Sequence, residues 1–230
     1  MKKINCKNWL IKSLELANQR PTLWLGYVIF LALVLMLGRV SLALTIFISV
    51  TGLFAGVNIA EYIDRSQTSE SLISVLRKKL SLSFIFAAVI VVLWFIFRIV
   101  ANLNAGEPEK ILQFFYHWEL TAENFQDKPF RQLIAWLYSG AIVALIFALL
   151  MLNSLANWFS YPLMVFKHHS WTEAREAGTQ LIAENQAEFY KLFAFLLLMA
   201  FIGIGLIPLL TPLFFMLVST LMYVCYRESF

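Results

Sequence analysis

The sequence predicts an all-α, polytopic membrane protein with about six transmembrane helices arranged as three hairpins. Of the 230 residues, 60% are hydrophobic and only 14% are charged, whereas soluble domains carry roughly 25% charged residues. A charged amphipathic stretch followed by two long apolar stretches occurs three times along the chain. We therefore expect a single integral membrane domain over residues 1–230, in which an amphipathic surface helix precedes each hairpin.

The first unit contains a surface helix over residues 3–20 and spans over about 22–38 and 40–60. The second span is free of charge for 21 residues, which is enough to cross a hydrocarbon core. Lys7, Trp9 and Lys12 are expected to anchor the surface helix, because lysine reaches anionic headgroups and tryptophan favours the interface. At helical spacing, one side of this helix collects the less polar residues Cys6, Trp9, Leu10, Leu14 and Ala17.

The second unit contains a surface helix over residues 61–80, spans over about 81–101 and 132–157, and an extracytoplasmic loop over 102–131. The charge-free window that begins at the second of these spans is too long for one straight crossing. It contains Pro162, which cannot donate a backbone hydrogen bond inside a helix. We therefore expect the chain to cross once and then to bend at Pro162 into the interface.

The third unit contains a surface helix over residues 170–189 and short spans over about 190–207 and 209–226. Trp171 is expected to anchor the surface helix at the membrane interface. Glycine and proline residues near the middle of the last apolar window predict a turn between the two spans. A single span through the same window is the alternative.

The distribution of basic residues predicts the orientation. With six spans, thirteen of the 18 Lys and Arg residues fall on one side of the membrane and the remaining five on the other. Because the cytoplasmic side carries the excess of basic residues, both termini are expected in the cytoplasm. This topology accounts for the net charge of +4, so nucleic-acid binding is not expected. Cys6 and Cys225 would both lie on the reducing side of the membrane.

Three amides in the predicted spans are candidates for a functional site. Asn58 lies near the end of the second span, and Asn153 and Asn157 lie four residues apart on the fourth. A polar group is costly in lipid, so such residues mark either hydrogen bonds between helices or a polar path. Hydrogen bonds that fix helix packing are the preferred interpretation, and a polar path is the alternative.

The sequence shows no motif of a known catalytic site. It contains no G-x-S-x-G nucleophile elbow, no phosphate-binding loop and no HExxH zinc motif. His169 and Glu173 share a helical face, but a third metal ligand is not evident. We therefore expect no catalytic residue, no cofactor and no metal, and we do not expect an enzyme.

Two short motifs resemble those of an uncharacterised family of six-helix bacterial inner-membrane proteins. The first is Pro21-Thr22-Leu23-Trp24-Leu25-Gly26 at the start of the first span. The second is Tyr226-Arg227-Glu228-Ser229-Phe230. The resemblance implies a multi-pass protein of the bacterial inner (cytoplasmic) membrane, and it implies no catalytic residues.

These patterns predict a non-enzymatic integral membrane protein that acts through helix packing and its surface helices. It would serve as a partner or assembly factor for a membrane protein, or it would organise lipid. The expected partners are membrane lipid and a membrane protein, either a second copy of this chain or another protein. The alternative function is a small oligomeric permease or channel with a polar path near Asn58, Asn153 and Asn157.

Overall fold

A computed structural model describes residues 5–65, 71–116, 121, 128–205 and 208–230. Every regular element in this part of the chain is helical, which confirms the predicted all-α class. The helices are α1 (Cys6–Gln19), α2 (Pro21–Met36), α3 (Leu42–Asp64), α4 (Leu72–Asn104), α5 (Phe130–Leu155), α6 (Ser160–Phe166), α7 (Trp171–Glu184), α8 (Gln186–Gly205) and α9 (Thr211–Ser229). Short 3-10 helices lie at Leu37–Val40, Pro108–Phe114 and Pro208–Leu210.

Four helical segments of the described chain are long and apolar enough to cross a membrane. They are Pro21–Val40, Leu42–Asp64, Leu72–Asn104 and Phe130–Ser154. A fifth candidate is the bent pair α7 and α8, which meet at an angle of 98°. The structure therefore supports a membrane-embedded helical protein with four or five candidate spans, and the predicted six spans in three hairpins stay a prediction.

The predicted surface helix over residues 61–80 is not a separate element. Helix α3 continues to Asp64, and α4 begins at Leu72 after an N-cap in which the Ser71 hydroxyl accepts a hydrogen bond from the Ser74 backbone N–H. Residues 66–70 lie outside the described part. No glycine or proline occurs between Leu72 and Asn104, so nothing in the sequence ends the helix where the apolar run begins. The predicted span over 81–101 is thus the later part of a 33-residue helix.

The break after α5 comes earlier than predicted. The helix ends at Leu155, and the chain turns through residues 156–159 before α6 begins at Ser160. Pro162 lies inside the first turn of α6, where its missing N–H costs no hydrogen bond. Pro162 therefore helps to start a new helix and does not bend the old one.

A helix is present where the third surface helix was predicted, but it is shorter than 170–189. Helix α7 begins with a capping box, in which the Ser170 backbone N–H and hydroxyl both donate to the Glu173 carboxylate at 2.8 Å. These hydrogen bonds hold the pKa of Glu173 below its usual value. The helix ends at Glu184, and α8 starts at Gln186 after the sharp bend.

Helix α3 lies at the centre of the fold. In the 18-residue apolar segment of α3 that could cross a membrane, 67% of the residues are buried inside the protein. The corresponding figure is 28% for the segments that contain α2 and α4. Helix α9 is buried along most of its length and packs against α3. The two backbones approach closely at Gly56, where an added Cβ would lie 2.7 Å from the Ser219 Cβ. Gly52, four residues earlier, faces α2, where an added Cβ would lie 2.7 Å from Leu31 Cδ1, so both glycines allow close packing within the chain.

The predicted extracytoplasmic loop over residues 102–131 is only partly described. Its first residues complete α4, and a 3-10 helix follows at Pro108–Phe114. The Phe114 ring is buried and lies 5.3 Å from that of Phe95 on α4. This contact holds the 3-10 helix against the late part of α4. Residues 117–120 and 122–127 lie outside the described part.

Candidate functional site

A buried polar cluster joins α3, α4 and α6. The Asn58 amide donates to the Tyr161 hydroxyl at 2.9 Å, and the Ser83 hydroxyl lies 2.7 Å from the same oxygen. Each of these residues is at most 1% exposed. A tyrosine hydroxyl offers one donor and two acceptor positions, so two of its three hydrogen-bonding positions are used within the chain. The Asn58 carbonyl oxygen has no hydrogen-bond partner in the described part.

Aromatic packing places Tyr161 at the centre of this cluster. Its ring stacks on Phe54 of α3 with centroids 3.8 Å apart and an interplanar angle of 13°. Phe86 of α4 meets the same ring edge-on at 5.6 Å. The reversal of the chain before α6 brings Tyr161 between α3 and α4. Sequence reasoning identified Asn58 but missed Tyr161 and Ser83, because their spacing along the chain gives no sign that they meet.

An ion pair continues the polar contact between α3 and α4. Glu61, one turn beyond Asn58, binds Lys79, which lies one turn before Ser83. The Glu61 side chain is only 3% exposed, and Arg65 adds a second contact at 3.2 Å. The Lys79 ammonium also lies 4.7 Å from the centroid of the Phe166 ring. Because both charges are partly withdrawn from water, each depends strongly on the other.

The end of α9 is tied to the same end of α3. The Asp64 carboxylate accepts hydrogen bonds from the Tyr223 hydroxyl at 2.8 Å and from the Arg227 guanidinium at 2.5 Å. Glu228 forms an ion pair with Lys12 of α1. The C-terminal motif therefore connects three helices through charged side chains. These contacts give the motif a structural role.

Asn157 holds the turn between α5 and α6. Its carbonyl oxygen accepts from the Phe159 backbone N–H at 2.9 Å and from the Ser160 hydroxyl at 3.1 Å. Its amide donates to the Arg175 carbonyl of α7 at 2.8 Å. Asn153, one turn earlier, is exposed on α5. In the described hydrogen bonds Asn58, Asn153 and Asn157 share no partner, and the polar path near all three, the alternative function, stays a prediction.

The predicted surface anchors have different surroundings. Trp9 is only 2% exposed, because its ring packs against Phe189 with centroids 5.4 Å apart. Lys12 is paired with Glu228, whereas Lys7 is exposed and Trp171 is 40% exposed. Helix α1 thus turns its tryptophan toward the protein, and the folded chain leaves Trp9 little surface for lipid. The exposed apolar side chains on α1 are Ile11 and Leu14.

Comparisons with protein-family models, with curated proteins and with solved structures find no match for this chain. The resemblance of its two short motifs to a bacterial inner-membrane family stays a prediction. Among the described residues, no group of three or more His, Cys, Asp or Glu side chains could hold a metal ion.

Proposed function

We propose that this chain is a non-enzymatic integral protein of the bacterial inner membrane, with both termini in the cytoplasm. It acts through helix packing and contact with lipid, as a partner of another membrane protein or as a lipid-organising protein. Its polar interior serves to fix the helices to one another.

One observation carries this proposal: the polar side chains where α3, α4 and α6 meet, and those at the turn before α6, bond to each other and to the backbone. The Tyr161 hydroxyl is shared by Asn58 and Ser83, Glu61 is paired with Lys79, and Asn157 caps a turn. Hydrogen bonds of this kind contribute roughly 0.6–2 kcal/mol each to packing in membranes. A group used in this way is not poised to coordinate a passing solute or to attack a substrate.

A small permease or channel is the second candidate. The Asn58 carbonyl oxygen and the Ser49 hydroxyl are buried on α3 without a hydrogen-bond partner in the described chain. Unsatisfied polar atoms inside a membrane bundle are expected along a solute path. They favour a path beside α3, so the two functions need an experiment that separates them.

Flux measurements separate the two functions. The full chain is reconstituted into phospholipid vesicles, and the uptake of potassium, glycerol and small amino acids is followed with protein-free vesicles as the reference. We expect equal rates with and without protein, because the interior polar groups are engaged in packing. Protein-dependent uptake that falls in Asn58→Leu would establish the permease and overturn the proposed function.

A further inference from the structure

A cleft of about 270 Å³ opens at the end of the bundle where α2 ends and α3 begins. The late part of α4, the 3-10 helix Pro108–Phe114 and the first turns of α5 complete its walls. Its side walls are largely apolar and include Leu35, Leu42 and Phe114. Two arginines, Arg39 and Arg98, line the same space. No aspartate or glutamate is among the described residues that line it.

The cleft lies at the opposite end of the bundle from the Glu61–Lys79 ion pair. Arg98 follows Lys79 by 19 residues on α4, which corresponds to about 28 Å of helix at 1.5 Å per residue. The hydrocarbon core of a bilayer is roughly 30 Å thick. If the ion pair lies at one membrane surface, Arg98 lies at the level of the headgroups of the other.

The two arginines are held differently. The Arg39 guanidinium donates to the Ser139 hydroxyl at 2.9 Å and lies 4.9 Å from the centroid of the Trp136 ring. These contacts fix Arg39 at the cleft. The Arg98 Nε–H is buried and has no hydrogen-bond partner in the described chain, while the side chain as a whole is partly exposed at the cleft. One turn further along α4, the amide nitrogen of Asn102 is also buried without a partner.

An unpaired guanidinium donor beside a second arginine in one cleft matches an oxygen-rich anion, whereas Asn102 does not line the cleft. A buried charged donor without a partner is costly. Phosphate matches the planar fork of arginine and accepts hydrogen bonds from two of its nitrogens at once. Basic pockets between transmembrane helices are suited to anionic lipid headgroups for this reason.

We propose that this cleft binds the phosphate of an anionic phospholipid headgroup through Arg98, with Arg39 as the second cation. The proposal rests on the proposed function as a lipid-contacting membrane protein. The cleft is large enough for a headgroup and too small for a whole lipid, whose acyl chains stay in the bilayer. Phe97, next to Arg98 in the chain, is 61% exposed and offers those chains an apolar surface.

The lack of a carboxylate among the described lining residues sets the preference among lipids. A zwitterionic headgroup brings an ammonium group that needs an acceptor beside its phosphate. Two guanidinium groups repel that ammonium group, whereas a glycerol headgroup adds only hydroxyls. The cleft therefore favours phosphatidylglycerol over phosphatidylcholine.

Native mass spectrometry of the delipidated full chain in mild detergent tests the proposal. Phosphatidylglycerol, phosphatidylcholine with the same acyl chains, and inorganic phosphate are added separately. Arg98→Gln should weaken phosphatidylglycerol binding by about tenfold or more, since a hydrogen bond to a charged group is lost. Arg131→Gln is the matched control, because Arg131 is exposed at the start of α5 and does not line the cleft. The affinity of this variant for phosphatidylglycerol should equal that of the wild type.

A variant that fills the cleft without changing its charge tests whether phosphatidylglycerol binds inside the cleft. An added Cβ at Gly140, which lines the cleft, would make only an ordinary contact of 3.5 Å with the Thr45 methyl group. Because the Cβ fits and Gly140 lines the cleft, the leucine of Gly140→Leu should fill the cleft and abolish phosphatidylglycerol binding. Wild-type thermal stability in phosphatidylcholine is the check that this variant folds.

Three results would overturn the proposal. The first is wild-type affinity for phosphatidylglycerol in Arg98→Gln, and the second is the same result in Gly140→Leu. The third is that inorganic phosphate protects the protein against heat as well as phosphatidylglycerol does. Any of them would leave the proposed function standing as long as the vesicle flux experiment shows no uptake. Solute flux together with normal phosphatidylglycerol binding would overturn the proposed function and leave the lipid site standing.

Discussion

Replacing Asn157 with leucine is expected to lower the free energy of unfolding by about 2–4 kcal/mol. The substitution removes three hydrogen bonds and leaves two buried groups, the Phe159 N–H and the Ser160 hydroxyl, without the Asn157 carbonyl oxygen that accepts from them. Each unsatisfied buried group costs roughly 1–3 kcal/mol, and partial access of water to the turn reduces the sum. The measurement is unfolding of the purified chain in mixed micelles of a mild detergent and SDS.

Asn153→Leu is the matched control, because it makes the same substitution four residues earlier, in the last turn of α5. Asn153 is exposed, so its replacement should change the free energy of unfolding by less than about 0.5 kcal/mol. If both variants lose the same stability, the turn is not held by Asn157. If neither does, the hydrogen bonds around residue 157 contribute nothing to the fold.

Replacing Lys79 with methionine is expected to lower the free energy of unfolding by about 3 kcal/mol. Removing one member of a buried ion pair typically costs 3–5 kcal/mol, because the other charge stays buried without compensation. Here Arg65 still reaches Glu61 at 3.2 Å, which places the cost at the lower end. Methionine keeps the unbranched stem, so packing beside Phe166 is largely retained. The same detergent titration measures the loss.

The double variant Glu61→Leu with Lys79→Met separates the charge effect from packing. Removing both charges should recover most of the stability that Lys79→Met loses, since an apolar pair of similar volume often replaces a buried ion pair at little cost. A double variant less stable than Lys79→Met would show that Glu61 is stabilised by groups other than Lys79.

Hydropathy alone located three of the long apolar helices. The windows predicted over 22–38, 40–60 and 132–157 correspond to Pro21–Val40, Leu42–Asp64 and Phe130–Ser154. A long charge-free run has few ways to satisfy its backbone in lipid other than a helix, so local composition is sufficient. Helix boundaries were less predictable, because the charged residues Arg77, Lys78 and Lys79 suggested a surface helix although α4 continues through them.

An amphipathic pattern could not tell whether protein or lipid covers the apolar side of a helix. In α1, Trp9 meets Phe189, and the Cys6 backbone N–H donates to Glu188 at 2.8 Å. These partners are distant in the sequence, since Glu188 lies 182 positions after Cys6. The sequence periodicity of α1 therefore predicted a helix correctly but could not identify the surface that it covers.

The polar sites were the least predictable part. Asn58 was a candidate from the sequence, but its partner Tyr161 is separated from it by 103 positions. Arg39 and Arg98 lie at the ends of apolar runs, where a basic side chain ordinarily reaches for water. Only the packing of α2, α4 and α5 brings them to one cleft. Contacts of this range depend on tertiary structure, which a single sequence does not report.

The central claim is that the polar interior is closed and serves packing, and thiol labelling in vesicles tests it most directly. Single cysteines replace Asn58 or Ser83 in a chain whose Cys6 and Cys225 are changed to alanine. Arg77→Cys and Glu109→Cys, at exposed positions, serve as positive controls in the same background. A membrane-impermeant maleimide is applied to vesicles of both orientations. The account predicts that positions 58 and 83 stay unlabelled from either side until the protein is unfolded, whereas labelling of position 58 in the folded protein would contradict it.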